Sequence, residues 1–251
     1  MKNKMLKRIA CTLAAILFWL LIWEIVARSI DVSFILPNVK EIFLSLISLL
    51  GTAKFYKTVI LSFLRILAGF AIGTTLGVSL APLTKHVALA RVLLSPAMTV
   101  IRATPVASFI MALWLLIGSD AVPTTITALM VTPIVWQSMT EALGSVDGEL
   151  DEVCRIYKIR GFKRFRILML PTIIKFLVPS IITSAGLAWK SGIAAEIIAY
   201  TANSIGKEIY LAKAYLESGE MLAWTLVVVL LSLIFETLLT LLGRRSSKWL
   251  K

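Results

Sequence analysis

Uncharged stretches approaching twenty residues recur along this chain, and they constrain its fold more than any single motif does. A helix needs about 20 apolar residues to cross about 30 Å of hydrocarbon. A soluble core of the same length would instead alternate apolar and polar residues at helical or strand period. The chain is 59% hydrophobic and 16% charged, with a mean hydropathy of +0.90, a balance that cannot cover a soluble surface. The sequence therefore predicts an all-α, polytopic membrane protein. Helices are required because backbone groups in lipid must be satisfied within their own segment, and the alternating pattern of a barrel is absent.

Six spans are predicted, with five to seven as the range: 9–27, 66–83, 103–119, 121–143, 171–200 and 221–243. The apolar stretch 87–101 is interrupted by Arg91 and Pro96. It lies along the interface or forms the lower part of the third span. The N-terminal apolar run is long for a signal peptide and ends at Trp23-Glu24 without a small-residue cleavage site, so it is read as a retained first helix.

Lys and Arg set the orientation. Lys2, Lys4, Lys7 and Arg8 precede the first span, Lys85 and Arg91 follow the second, 155–166 follows the fourth, and Arg244, Arg245, Lys248 and Lys251 follow the sixth. With six spans all four groups fall on one side, which the positive-inside rule makes cytoplasmic, together with both termini. The formal net charge of +12 is thereby assigned to anionic lipid headgroups rather than nucleic acid.

Chemistry of its own is hard to find in the sequence. Ser204-Ile-Gly-Lys-Glu208 lacks the upstream glycine and the following hydroxyl of a phosphate loop, so ATP hydrolysis is not expected on this chain. His86 is a lone loop histidine, and Cys11 and Cys154 are too far apart in the topology to form a structural pair. No catalytic, cofactor or metal residues are predicted.

Ionisable residues inside the spans each require a reason. Glu24 and Arg65 sit near span ends and are read as snorkelling anchors. Arg102 stands three residues before Pro105, where a helix break could line a gate or a kinked interfacial anchor. Trp189, Lys190, Ser191 and Glu196 belong to a segment of small residues, with the two charges about 120° apart on a helix. A pathway or gate role and a structural polar contact both remain open for it. Glu236 is expected to pair with a cation from another helix.

Residues 149–171 are the polar interruption between the fourth and fifth spans. Glu149, Asp151 and Glu152 suit the first turn of a short helix and Arg155 its end. Gly161 is placed to break it. An amphipathic stretch then leads to Pro171, which opens the fifth span.

Glu152-Val-Cys-Arg155 followed by Ile167-Leu-Met-Leu-Pro171 resembles the E-A-A loop of permease subunits of type I ABC importers, nearest the nitrate, sulfonate, taurine and bicarbonate branch. Ser62-Phe-Leu-Arg-Ile-Leu-Ala-Gly-Phe70, Leu36-Pro37, the region 96–105, Trp189-Lys-Ser-Gly-Ile-Ala-Ala-Glu196 and Ile205-Gly-Lys-Glu-Ile-Tyr210 fit the same branch, so the resemblance covers nearly the whole chain. It departs at two places. Lys158 stands where the family usually has glycine, six residues after the motif's glutamate, and Cys154 replaces the usual alanine.

The resemblance implies one permease domain over 1–251, with its core transmembrane region at about 55–243. It implies two cytoplasmic ATPase subunits docked on the loop, a second permease subunit, and an extracytoplasmic solute-binding protein meeting 31–56 and 203–220. Glu149, Asp151, Glu152, Val153, Cys154, Arg155, Lys158, Gly161 and Pro171 would form the coupling loop. The solute implied is a small anion, such as a sulfonate or nitrate, or a small heterocycle. Two readings from other classes stand beside it. A secondary transporter would show inverted repeats and paired broken helices, and no convincing internal repeat is visible. A membrane scaffold would use the basic loop but leave Lys190 and Glu196 without a role.

Overall fold

In a computed structural model of the chain, residues 2–30, 32 and 34–248 are described, with side chains over 10–30, 32 and 34–243. Asp31 and the flanking cations Lys2, Lys4, Lys7, Arg8, Arg244, Arg245, Lys248 and Lys251 lie outside the described side chains.

Helix α1 (Lys2–Ile30) meets the bundle near its C-terminal end. There Trp23 Nε1 donates to the Pro37 carbonyl at 3.1 Å, and Glu24 Oε2 accepts the amide of Val39 at 3.2 Å. Val39 opens α2 (Val39–Leu50). Glu24, read as a snorkelling anchor, pairs with the exposed Arg28 at 2.8 Å and also supplies an acceptor at a helix N-terminus, where free amides and the dipole favour an anion. Gly51 and Thr52 separate α2 from α3 (Ala53–His86), whose first turn is capped by Thr52 Oγ1 accepting from the Phe55 amide at 3.3 Å. At the other end of α3, Arg91 donates to the carbonyls of Thr84 and Lys85, satisfying groups that the helix end leaves free.

α4 (Ala88–Ala103) and α5 (Val106–Ile117) are separated by Thr104-Pro105 and bent by 108°. The third span, expected over 103–119, is thus broken at Thr104-Pro105, with 88–103 before the break and 106–117 after it. Pro105 lacks an amide and disfavours helical geometry in the residue before it, so the helix stops at the break. The 12 residues of α5 reach only about 18 Å at 1.5 Å per residue.

α6 (Val122–Gly144) is the centre of the molecule, packed against α3 on one side and α9 on the other. Gly69, Gly73 and Gly77, one helical turn apart, form a flat ridge on α3. A Cβ on Gly73 would lie 2.7 Å from the Ala128 carbonyl oxygen, and one on Gly77 would lie 2.7 Å from Val135 Cβ. Small residues at this spacing let two helix backbones approach closely, which apolar packing in lipid rewards.

α7 (Gly148–Ile156) is short. α8 (Gly161–Arg164), a π turn over Phe165–Met169 and α9 (Leu170–Ile198) then form one continuous helical rod of 38 residues. Pro171, expected to open the fifth span, stands in the first turn of α9, where its missing amide costs little, and the π turn before it joins α9 to α8. α10 (Ile205–Ala214) and α11 (Ser218–Lys248) complete the chain. Aromatic side chains join α3, α9 and α11: Phe55 stacks on Trp224 with centroids 5.2 Å apart, Phe63 meets Trp189 at 5.9 Å and Phe70 meets Phe235 at 5.3 Å.

Among the described residues, four helical stretches are long and apolar enough to cross a membrane: Ala10–Ile30, Ala53–His86, Gly161–Ile198 and Ser218–Gly243. A fifth is added if the bent α4–α5 pair counts as one span. α6 is not among them. At 23 residues it is long enough, but its neighbours are helices rather than lipid, so it tolerates Thr124, Thr127, Thr132, Gln137 and Thr140.

Candidate functional site

Two sites occupy opposite ends of the 38-residue rod. At its start stands α7. Asp147 caps it, its carboxylate accepting from the amides of Glu149 at 2.9 Å and Leu150 at 3.4 Å, with Glu149 and Asp151 in the first turn as the dipole prefers. Cys154 is buried against the body of the protein, while Glu149, Glu152, Val153 and Arg155 are exposed. Leu150, Ile156, Tyr157 and Phe162 are also exposed, Ile156 and Phe162 by more than 70%. On α7, outside the membrane-spanning segments, this is an apolar face edged with charge, and Phe162 at the start of the rod extends it.

Lys158 rather than Gly161 ends α7. It adopts φ +53, donating its amide to the Arg155 carbonyl at 3.1 Å while Ile159 donates to that of Cys154 at 2.8 Å. These are the paired bonds of a Schellman cap, which usually places glycine at this left-handed position. The turn geometry is thus retained without the usual residue. Gly161, at φ +58, begins the rod. Arg164 then reaches back to α7, its Nη2 2.6 Å from Asp151 Oδ1. Around this turn Asp151, Arg155, Lys158, Arg160, Gly161 and Arg164 enclose a cavity of about 560 Å³.

The intramembrane candidates divide by environment. Arg102 is exposed on α4 and donates to Gln137 Oε1, whose Nε2 donates to Glu141 at 2.9 Å. Pro105 is exposed at the break between α4 and α5. On α9, Trp189 and Ser191 are buried, Ser191 Oγ bonding the Leu187 carbonyl at 2.8 Å. Lys190 alone among Trp189, Lys190, Ser191 and Glu196 faces outward, and it makes no hydrogen bond or ion pair with a described residue. Glu236, expected to meet a cation, has none within ion-pair reach among the described residues. Its Oε1 accepts from Ser232 at 3.4 Å and lies against Gly186 of α9.

Glu196 is completely buried at the far end of the rod. Its Oε2 accepts from Ser62 Oγ at 2.9 Å and from the amide of Gly206 at 3.1 Å. Ser62 Oγ in turn accepts from the Ile205 amide at 2.9 Å. The carboxylate and the hydroxyl thus satisfy two of the amides that the start of α10 leaves free. Arg65 places Nη1 3.9 Å from Glu196 Oε1 and donates to the carbonyls of Asn203 at 3.2 Å and Ala202 at 3.0 Å. Arg65 was expected to snorkel into water; instead it ties a turn to the bundle. Lys54 adds an ion pair to Glu208 at 2.7 Å.

Sequence reasoning noted Ser62, Arg65, Glu196 and Ile205-Gly206 separately but did not join them, because more than 130 residues separate Ser62 from Glu196 in the chain. It also missed the Gly69, Gly73, Gly77 ridge. That signal was available in the spacing of small residues on an apolar helix.

Residues 73–248 match the family described as binding-protein-dependent transport system inner membrane component. A Brucella melitensis protein named as a probable ABC transporter permease is 23% identical over 216 residues, covering 86% of this chain and 87% of the relative. SsuC of Bacillus subtilis, named for aliphatic sulfonates transport, is 23% identical over 230 residues, 91% of this chain and 83% of the relative. Among solved structures, an amino acid ABC transporter crystallised with histidines superposes with a TM-score of 0.62 at 16% identity, covering 76% of this chain and 93% of that one. The MetNI methionine ABC transporter in inward-facing form gives 0.51 at 18%, covering 78% and 94%. Both superpositions establish the fold.

Proposed function

The chain belongs to the binding-protein-dependent transport system inner membrane component family, and we propose that it carries a small anion across the cell membrane, driven by ATPase subunits that dock on α7. It is an ABC transporter permease of the type I importer family, a transport subunit. The observation that carries the docking assignment is α7 itself. A nine-residue helix outside the spans exposes Glu152, Arg155, Val153 and Ile156 together, a mixture that a partner surface would bury.

In this reading two copies of the chain form the pore, one ATPase sits under each α7, and both termini lie on the ATPase side. Closure of the ATPase dimer displaces α7, and the rigid rod carries that displacement into the membrane. A solute-binding protein delivers its cargo at the α10 end. Lys190 supports an anionic solute. A charge held in a span is too costly to face lipid, so its outward side chain marks the surface that faces the pore. SsuC, named for sulfonates, makes sulfonates the first solutes to try.

A tagged chain expressed with its neighbouring genes should co-purify an ATPase, and Glu152→Lys should preserve membrane insertion while abolishing uptake. Normal uptake by that variant would remove α7 from the mechanism. Growth of a deletion strain on sulfonates, compared with nitrate, tests the solute.

A further inference from the structure

The polar cluster at the far end of the rod has no part in that scheme, although it is the most completely buried charged site described. Glu196 lies in the last turn of the same continuous helix that Gly161 begins, and 38 residues correspond to about 57 Å at 1.5 Å per residue. At one end Arg164 is tied to Asp151 of α7. At the other, Glu196 is bonded to Gly206 and Ser62, and Ser62 to Ile205.

The seating of α10 is close as well as polar. A Cβ on Gly206 would lie 2.4 Å from Glu196 Cβ and 2.6 Å from the Ile197 amide nitrogen, so only glycine permits this approach. The turns on both sides of α10 are tightly determined. Tyr200 and Leu216 take positive φ, a region where bulky residues persist only where the surroundings impose it. Thr201 closes the end of α9 by donating its amide to the Glu196 carbonyl at 3.1 Å and its hydroxyl to the Ser119 carbonyl at 2.9 Å. α10 therefore has little freedom to move independently of α9.

We infer that Glu196, with Ser62 and Arg65, clasps α10 to the end of the rod, so that α7 and the α10 face move as one body. Glu196 is then a positioning residue linking the ATPase side to the opposite surface. The inference rests on α7 being the ATPase lever. It assigns Glu196 to a coupling contact inside the protein rather than to the path of the solute. Coupling of this kind is reciprocal between the two ends and needs a direct measurement of linkage, since lying between two sites is not enough.

The test uses the whole complex with its ATPase, reconstituted in nanodiscs, with Cys11→Ser and Cys154→Ala removing the native thiols and Lys213→Cys on α10 as reporter. Maleimide labelling of the reporter is compared without nucleotide and after trapping with ATP and vanadate. With Glu196 intact, trapping should change the labelling rate by at least about fivefold, a typical size for coupled sites. Glu196→Ala should abolish that change while ATPase co-purification persists, and Glu196→Gln, which keeps the shape and an acceptor, should retain part of it. Ser62→Ala provides a second, milder release should Glu196→Ala fail to assemble. A full nucleotide response in either released variant overturns the clasp. Absence of both a co-purified ATPase and a nucleotide response with Glu196 intact overturns the lever reading as well.

Discussion

Arg164 reaches back thirteen residues to Asp151, its Nη2 2.6 Å and its Nε 2.8 Å from the same carboxylate oxygen. The pair fastens α7 to the first turn of the rod across the bend at Lys158 and Gly161. Partly exposed ion pairs contribute only about 0.2–1 kcal/mol to stability, so the value of this contact lies in direction rather than in energy. Asp151→Arg should lower uptake strongly with little change in melting temperature, and Asp151→Arg combined with Arg164→Asp should recover much of it. Uptake of the single variant equal to the parent would show that the strut is dispensable.

Lys158 holds a conformation that suits glycine, at φ +53. The left-handed region costs a non-glycine residue about 1–2 kcal/mol, partly offset by the greater chain entropy that glycine loses on folding. Lys158→Gly should stabilise the purified protein by about 0.5–1 kcal/mol on these magnitudes, whereas Lys158→Val should destabilise it. Thermal unfolding in detergent decides, and a lower midpoint for the glycine variant would contradict the strained cap.

Gly73 stands in the middle of the close approach of α3 to α6. Its hypothetical Cβ would be 2.7 Å from the Ala128 carbonyl oxygen and 2.9 Å from Val131 Cβ, whereas that of Gly51 meets nothing closer than 3.4 Å. Overpacking of this kind typically costs about 1–3 kcal/mol, so Gly73→Val should reduce the yield of monodisperse protein and Gly51→Ala should not. Equal size-exclusion profiles would argue against the close helix contact.

Lys190 is the outward-facing cation of an otherwise mostly buried stretch of α9. If it meets an anionic solute, Lys190→Gln removes a charge-assisted contact worth about 1.5–3 kcal/mol, and the initial uptake rate should fall about tenfold or more on that magnitude. Lys190→Arg should preserve a substantial part of the rate. An unchanged rate in the glutamine variant would place this lysine away from the path.

The sequence alone determined the solvent, the helical class and the existence of α7, because these follow from local properties: uncharged length, the backbone's needs in lipid, and acidic residues placed at a helix start. Glu149, Asp151 and Glu152 could be read directly as a helix beginning, while the cap from Asp147 was seen only in the structure. The contacts of Arg65 with the carbonyls of Ala202 and Asn203, and the seating of α10 on Glu196 through Ser62 and Gly206, depend on groups distant in the chain. Pro171 could be read as the start of α9, but the π turn that extends α9 back to Gly161 could not be read from the sequence. The apolar pattern records what each segment must avoid in lipid; which polar groups satisfy one another is fixed only when α3, α9 and α10 converge.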